Sequence, residues 1–232
     1  MDDIKNNFDV SVSTVHRDLS MLEHEGRINK YYGQVSVSEK KELFKSRINI
    51  NVDLKRRMAS KAVTFIRNGD CVFLDNSTTA YYLAEALCAT TLKDILVVSN
   101  NGFISDLFLS NKNIDLVLTG GKLNKKTNSL VGPQAVKTIQ DFNANNFFFS
   151  TSCISLKGGI SDIYLPDVID IKTKMLQHAK NKILLVDSTK FEKISTAKWF
   201  EIDIVDFIIT DNKLPTEQVE EYRNAGIKIV KS

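Results

Sequence analysis

Along most of the chain, short continuous apolar runs alternate with segments in which apolar residues recur every three or four positions. The runs CVFLD (71–75), ILVVSNN (95–101), DLVLTGG (115–121), FFFSTS (147–152), KILLVDS (182–188), DFIITD (206–211) and the final KIVKS read as strands. Between them the spacing predicts helices near 79–88, 102–110, 133–141, 167–180 and 215–225. Another helix is predicted to start at Asp53 as its N-cap, run through Leu54, Met58, Ala62 and Phe65 to Arg67, and close at Gly69. Strands that are apolar throughout are covered on both faces, and strands alternating with helices build a mainly parallel sheet through right-handed crossovers. Residues 54–232 are therefore expected to form a doubly wound, mainly parallel α/β domain.

Residues 1–35 carry a different pattern. Val12, Val15, Leu19 and Leu22 line up one helical stripe, with Ser11 placed to cap it and Gly26 placed to end it after Glu25. Upstream, Ile4, Phe8 and Val10 suggest a short helix and a turn, and downstream RINKYYGQVSV alternates and turns at Gly33 as a two-stranded wing would. Opposite the stripe lie Ser13, Thr14, His16, Arg17 and Ser20, side chains of the kinds that reach base edges or phosphates. The same periodicity also describes an amphipathic helix with a solvated polar face. Residues 36–53, polar and free of Gly and Pro, read as a linker that packs partly on the large domain.

Composition narrows the classes. At 43% apolar and 25% charged residues, the chain has the material for an ordinary core. No apolar run approaches the roughly 18–20 residues of a membrane span, and the N-terminus lacks a signal-peptide core, so a cytoplasmic protein with no membrane partner is expected. Cys71, Cys88 and Cys153 are odd in number and widely spaced, with no C-x-x-C pair, which points to buried free thiols and to no metal site. The net charge of +3 is concentrated in residues 1–61, which hold 12 Lys and Arg against 9 acids. Yet the first 35 residues hold four bases and six acids, a weak electrostatic footprint for a DNA-binding module.

On a parallel sheet, ligands bind beyond the carboxyl ends of the strands. Those ends here are Asp75-Asn76-Ser77-Thr78-Thr79, Ser99-Asn100-Asn101, Thr119-Gly120-Gly121 and Asp187-Ser188-Thr189-Lys190. Ser77, Thr78 and Thr79 open a helix, where free amides, the dipole and three hydroxyls favour an anion. Gly120 and Gly121 permit close backbone approach, and Lys190 supplies a point charge. Together they describe a site for a small phosphorylated metabolite, although each piece alone is also an ordinary cap or turn.

Both halves resemble one family. VSVSTVHRDLSMLEHEGRINKYYG resembles the helix-turn-helix and wing of DeoR-type transcriptional repressors, matching at Val10, Ser11, Thr14, Arg17, Asp18, Leu19, Leu22, Gly26 and Gly33. It departs where His16 replaces an arginine, Lys30 the wing arginine, Tyr32 the wing histidine and Gln34 a glycine. The resemblance implies operator DNA as a partner, with Ser11, Ser13, Thr14, His16, Arg17, Lys30 and Tyr32 as contacts. Family members also carry a helix before the one expected around Ile4 and Phe8. A start upstream of residue 1 and a shortened DNA reader are both consistent with its absence here. The large domain resembles the family's effector domain, of the sugar-phosphate isomerase and coenzyme A transferase type, through FLDNSTTAYYLAEAL, VVSNN, LVLTGGKL, LVG (130–132), GGISD (158–162), IKTKML, LLVDSTKF and FIITD. From it Asp75, Thr78, Thr79, Asn100, Gly120, Gly121, Gly132, Lys172 and Lys190 are implied as effector contacts or pocket supports, beside Ser77, Asn101 and Asp162. Ser77 stands where the family usually has glycine, and Val168, with Asp167 beside it, where it often has an acid.

The expected function is a homo-oligomeric repressor of sugar-metabolism genes, a dimer or tetramer, controlled by a phosphorylated sugar or polyol, without cofactor and not an enzyme. Two alternatives remain at this stage. One is a sugar-phosphate isomerase-like enzyme using Asp75, Asp162 or Asp187 as general base, against which His16, His24 and His178 all lie away from the strand ends. The other is a truncated sensor paralogue that no longer binds DNA alone.

Overall fold

The computed structural model describes residues 10–24, 28–31, 34–37, 44–163 and 165–232. The short helix expected around Ile4 and Phe8, the helix-ending Gly26, and Tyr32 with the Gly33 turn lie outside the described residues, as do the side chains of Leu22 and Lys30.

Helix α1 (Val12–His24) is followed by strands β1 (Ile28–Tyr31) and β2 (Gln34–Val37), which pair antiparallel with Tyr31 opposite Gln34. Ser11 caps α1: its Oγ accepts from the Thr14 amide at 3.1 Å. The stripe is narrower than its spacing suggests. Val15 and Leu19 are buried with Val10 against them, but Val12 is 47% exposed, because it opens the helix before the turn that packs.

Within the expected linker, residues 44–48 form a short helix, α2 (Phe44–Ile48), docked on the large domain. The Phe44 ring stacks on Phe103 at 4.5 Å and meets Tyr81 edge-on, and the Tyr82 hydroxyl donates to the Ile48 carbonyl at 3.0 Å. Helix α3 (Val52–Val63) begins one residue before the expected cap. Asn51, in the left-handed conformation, occupies the cap position, and Asp53 lies in the first turn, where its charge complements the dipole.

The large domain is a seven-stranded, wholly parallel sheet. Its strands are β3 (Cys71–Leu74), β4 (Ile95–Ser99), β5 (Ile114–Leu118), β8 (Ala144–Phe149), β11 (Ala179–Leu185), β13 (Phe207–Thr210) and β14 (Ile229–Lys231). Their spatial order is β14-β13-β11-β8-β3-β4-β5. Helices α4 (Thr78–Cys88), α6 (Pro133–Gln140), α7 (Pro166–Gln177) and α8 (Thr216–Asn224) follow the expected places, whereas the helix near 102–110 is one turn only, α5 (Ser105–Phe108). Alternate strand residues face two cores: Phe73, Phe147, Phe149 and Leu184 meet α6 and α7, and Val72, Leu74, Phe148 and Ile183 meet α3 and α4. Both sheet faces are thus covered, as uniformly apolar strands require.

Two additions were not visible in the pattern. A hairpin, β6 (Lys122–Asn124) with β7 (Ser129–Val131), follows β5, and β9 (Cys153–Ser155), β10 (Gly159–Asp162) and β12 (Ala197–Phe200) form a small antiparallel sheet. All three cysteines are free and half-buried rather than buried, and burial pushes the Cys71 thiol up to about 11. Among the described residues no helix is long and apolar enough to cross a membrane.

Candidate functional site

Strand order reverses between β3 and β8: from β3 the chain adds β4 and β5 on one side, then returns to add β8, β11, β13 and β14 on the other. Such a reversal leaves a crevice between diverging loops. It holds a cavity of about 350 Å3, walled by the loops after β3 (Asn76–Thr79), β8 (Ser150–Ser152) and β11 (Asp187, Thr189, Lys190). Asp162 and Trp199 of the small antiparallel sheet, Lys172 and Val168 of α7, and Lys126 and Thr127 of the β6–β7 turn complete it, with Arg47, Ile50, Asn51 and Lys55 from the linker side.

The β3 loop is built by its own polar groups. Asp75 Oδ1 accepts from the Ser77 amide at 3.0 Å, and Ser77 Oγ caps α4 by accepting from the Ala80 amide at 3.0 Å. The Thr78 and Thr79 amides that follow are first-turn donors, which the helix itself cannot satisfy. Beneath them Lys172 Nζ donates to Asp75 Oδ2 at 2.7 Å and to the Ser150 carbonyl at 2.5 Å, and it lies 5.0 Å from the centre of the Trp199 ring. Both partners are almost wholly buried, at 5% and 0% exposure. Asp75 also accepts from the Ser150 amide at 3.0 Å, so this one carboxylate ties β3 to β8 and α7.

Lys190 differs. Its ammonium donates to the Thr151 carbonyl at 2.9 Å and Ser150 Oγ at 3.2 Å, and stands 4.0 Å from Asp187. Burial is the main cause that pulls its pKa below the ordinary lysine value. Asp187 and Asp162 push it back up, and the positive charges of Arg47 and Lys172 push it further down. An added anion would favour the protonated form. The two acids on the wall are already engaged. Asp162 accepts from Ser152 Oγ at 2.6 Å, the Ser152 amide at 3.1 Å and the Ile163 amide at 2.8 Å, and Asp187 accepts from the amide and hydroxyl of Thr189. Against them stand Arg47, Lys55, Lys126 and Lys190, with Lys172 already paired to Asp75, so the lining favours an anionic ligand.

Of the twelve residues expected around an effector, Ser77, Thr78, Thr79, Asp162, Lys172 and Lys190 line this cavity. Asp75 lies just under its floor. Asn100, Asn101, Gly120, Gly121 and Gly132 do not line it, because β4 and β5 stand one and two strands from the reversal. They support it instead. Asn101 Nδ2 donates to the Ser77 carbonyl at 3.5 Å, Asn100 Nδ2 to the Leu130 carbonyl at 3.3 Å, and Gly120 and Gly121, at φ 68° and 99°, turn the chain into the β6–β7 hairpin. Gly132, at φ 97°, leads from that hairpin into α6.

Arg47, Lys126 and Ser150–Ser152 escaped the sequence reading. The FFFSTS run did end in hydroxyls beside a strand end, which was the available signal for Ser150–Ser152. Arg47 had none, being one base in a polar stretch. On α1, Ser13, His16 and Arg17 are exposed and Thr14 is half-exposed. The Ser11, Ser13 and Thr14 hydroxyls join through contacts of 2.8 Å, and Arg17 Nε lies 3.4 Å from Asp18. Among the described residues no cluster of His, Cys, Asp and Glu is arranged to hold a metal ion.

Residues 1–41 match the DeoR-like helix-turn-helix domain and residues 50–212 the DeoR C terminal sensor domain. The HTH-type transcriptional regulator IolR of Bacillus subtilis is 31% identical across 95% of this chain and 87% of its own. The L-fucose operon activator of Haemophilus influenzae is 30% identical across 92% and 85%. Among solved structures, ribose 5-phosphate isomerase A of Neisseria gonorrhoeae superposes with a TM-score of 0.45 at 14% identity, over 63% of this chain and 56% of the isomerase. The sensor-domain match alone spans more than half of the sequence, and the chain belongs to the DeoR family of transcriptional regulators.

Proposed function

We propose that this protein is a DNA-binding transcriptional repressor of sugar-metabolism genes, whose operator affinity is set by a phosphorylated sugar or polyol in the cavity between β3, β8 and β11. The observation that carries the ligand class is the convergence of the α4 N-terminus, Lys190 and Arg47 on one cavity with an excess of positive charge. A phosphate at Thr78 and Thr79 would meet free helix amides and a lysine that gains a proton partner. The volume suits a small metabolite rather than a polymer. A binding role is favoured over turnover because the carboxylate oxygens of Asp75, Asp162 and Asp187 are already engaged by the protein's own donors, two or more hydrogen bonds or a buried ammonium each, rather than left free to face a substrate.

Control follows from linkage. In a dimer or tetramer, an effector that favours a spacing of the two α1 helices unlike that of the half-sites weakens DNA binding by the factor by which DNA weakens effector binding. The test is fluorescence anisotropy of the full chain on duplexes tiled across the DNA upstream of its own gene, with and without a panel of sugar phosphates. Tight binding to one duplex, relieved by one sugar phosphate, is expected. Turnover of a sugar phosphate by the purified protein, with no duplex retained at modest salt, would overturn the reading.

A further inference from the structure

The cavity wall contains a part of the chain that a sensor closed on itself would not need. Arg47 lies on α2, after the residues that match the DNA-binding domain (1–41) and before those that match the sensor domain (50–212). It nevertheless lines the cavity, together with Ile50 and Asn51 of the turn that follows. Its Nε is buried and has no hydrogen-bond partner. A buried donor left unpaired is costly, and Arg47 lines a cavity in which an anionic acceptor would pair with its guanidinium. Its charge also reaches Lys190, whose pKa it helps to depress, so the two cations bear on the same space.

The hold of α2 on the large domain is narrow. Among the described residues it includes the Phe44 ring contacts, Ile48 against the core, the Tyr82 hydroxyl on the Ile48 carbonyl and Lys55 Nζ donating to the Arg47 carbonyl at 2.6 Å. A left-handed Asn51, at φ 52°, then separates α2 from α3. The element that enters the cavity is thus the one that leads back to the DNA-binding module.

We propose that α2 reports the occupancy of the cavity directly: an anionic ligand held by the α4 N-terminus and Lys190 also takes the Arg47 guanidinium, and so fixes the linker on the sensor. This rests on the reading of the cavity as a site for a phosphorylated ligand. The ligand is then a bridge between two segments and not only an occupant of one. An arginine is suited to that bridge, since its planar fork offers two parallel donors to one phosphate group.

The test is amide hydrogen exchange of the full chain with and without inorganic phosphate, read at two places: residues 76–80 at the start of α4 and residues 44–51 around α2. In the unaltered protein phosphate should slow exchange at both. In Arg47→Gln it should bind about tenfold more weakly, the loss of one charge-assisted contact. At saturating phosphate that variant should still protect 76–80 and no longer protect 44–51. Arg47→Lys, which keeps the charge without the fork, should lie between the two and serves in its place if Arg47→Gln does not fold. Protection of 76–80 without any change at 44–51 in the unaltered protein would overturn the linker role and leave the site intact, as would equal protection of 44–51 in the variants. Absence of protection at both places, unaltered by Lys190→Met, would overturn the site itself and the bridge with it.

Discussion

Lys172 and Lys190 share a cavity but are held in opposite ways, and the difference decides what each contributes. Lys172 is neutralised by Asp75 and roofed by Trp199, so its charge is structural. Removing one partner strands the other in the interior: Lys172→Met is expected to lower stability by about 3–5 kcal/mol, as read by urea unfolding, and adding Asp75→Leu to leave the protein destabilised because the Ser77 and Ser150 amides then lose their acceptor. Lys190 is the one whose proton, on the proposed reading, would answer to a ligand. Its pKa is lowered in the folded protein from 10.5, so between the folded and unfolded values the unfolded chain binds more protons and stability rises with pH. Binding runs the other way. Phosphate favours the protonated amine, so its affinity should fall as pH rises through the depressed pKa, earlier than an ordinary lysine would dictate. Titration calorimetry in buffers of different ionisation enthalpy should show proton uptake in that window, and Lys190→Arg should abolish it.

At the level of elements, the backbone of the site is tuned where loops turn sharply. Gly121 takes φ 99°, and a Cβ there would stand 2.5 Å from the Val131 carbonyl oxygen. Gly121→Ala should therefore displace the β6–β7 hairpin, costing on the order of 1–3 kcal/mol and loosening the turn that carries Lys126 and Thr127. Thermal unfolding with proteolysis across residues 122–131 would record both. How far such elements could be read in advance depended on what stabilises them. The seven parallel strands announce themselves because burial on both faces demands apolar side chains throughout, and Ser77 announces the start of α4 because capping is local chemistry. The three-residue strands β6, β7 and β9 pair with near neighbours, β6 with β7 and β9 with β10, but are too short to carry a periodicity of their own. Helix α2 has one large apolar anchor, the Phe44 ring, in a largely polar stretch. For the same reason, local signals pointed to Thr78, Thr79 and Lys190, which line the cavity, and not to Arg47, which lines it as well. Asn100 and Gly120 are expected near an effector from their strand ends but do not line the cavity, because the strand order that sets them aside is a property of the whole sheet.

At the scale of the whole molecule, two surfaces with different physics are joined through one chain. The α1 face presents Arg17 and His16 to solvent beside a hydroxyl cluster, and its contribution to operator binding is expected to be electrostatic as well as specific. Arg17→Gln should weaken DNA binding at every sequence tested, reduce the slope of log affinity against log salt by about 1 if its contact is to phosphate, and leave phosphate binding to the sensor unchanged. The sensor obeys a different constraint. Its cavity draws on residues from Arg47 to Trp199, and β3 finds its neighbour β8 only after β4 and β5 have been laid down on the opposite side. Synthesis proceeds from the N-terminus, so the ribosome releases the DNA-binding module of each molecule early and the last wall of the ligand site late. On the proposed reading, each new copy therefore completes the element that faces DNA before it completes the pocket that would govern it.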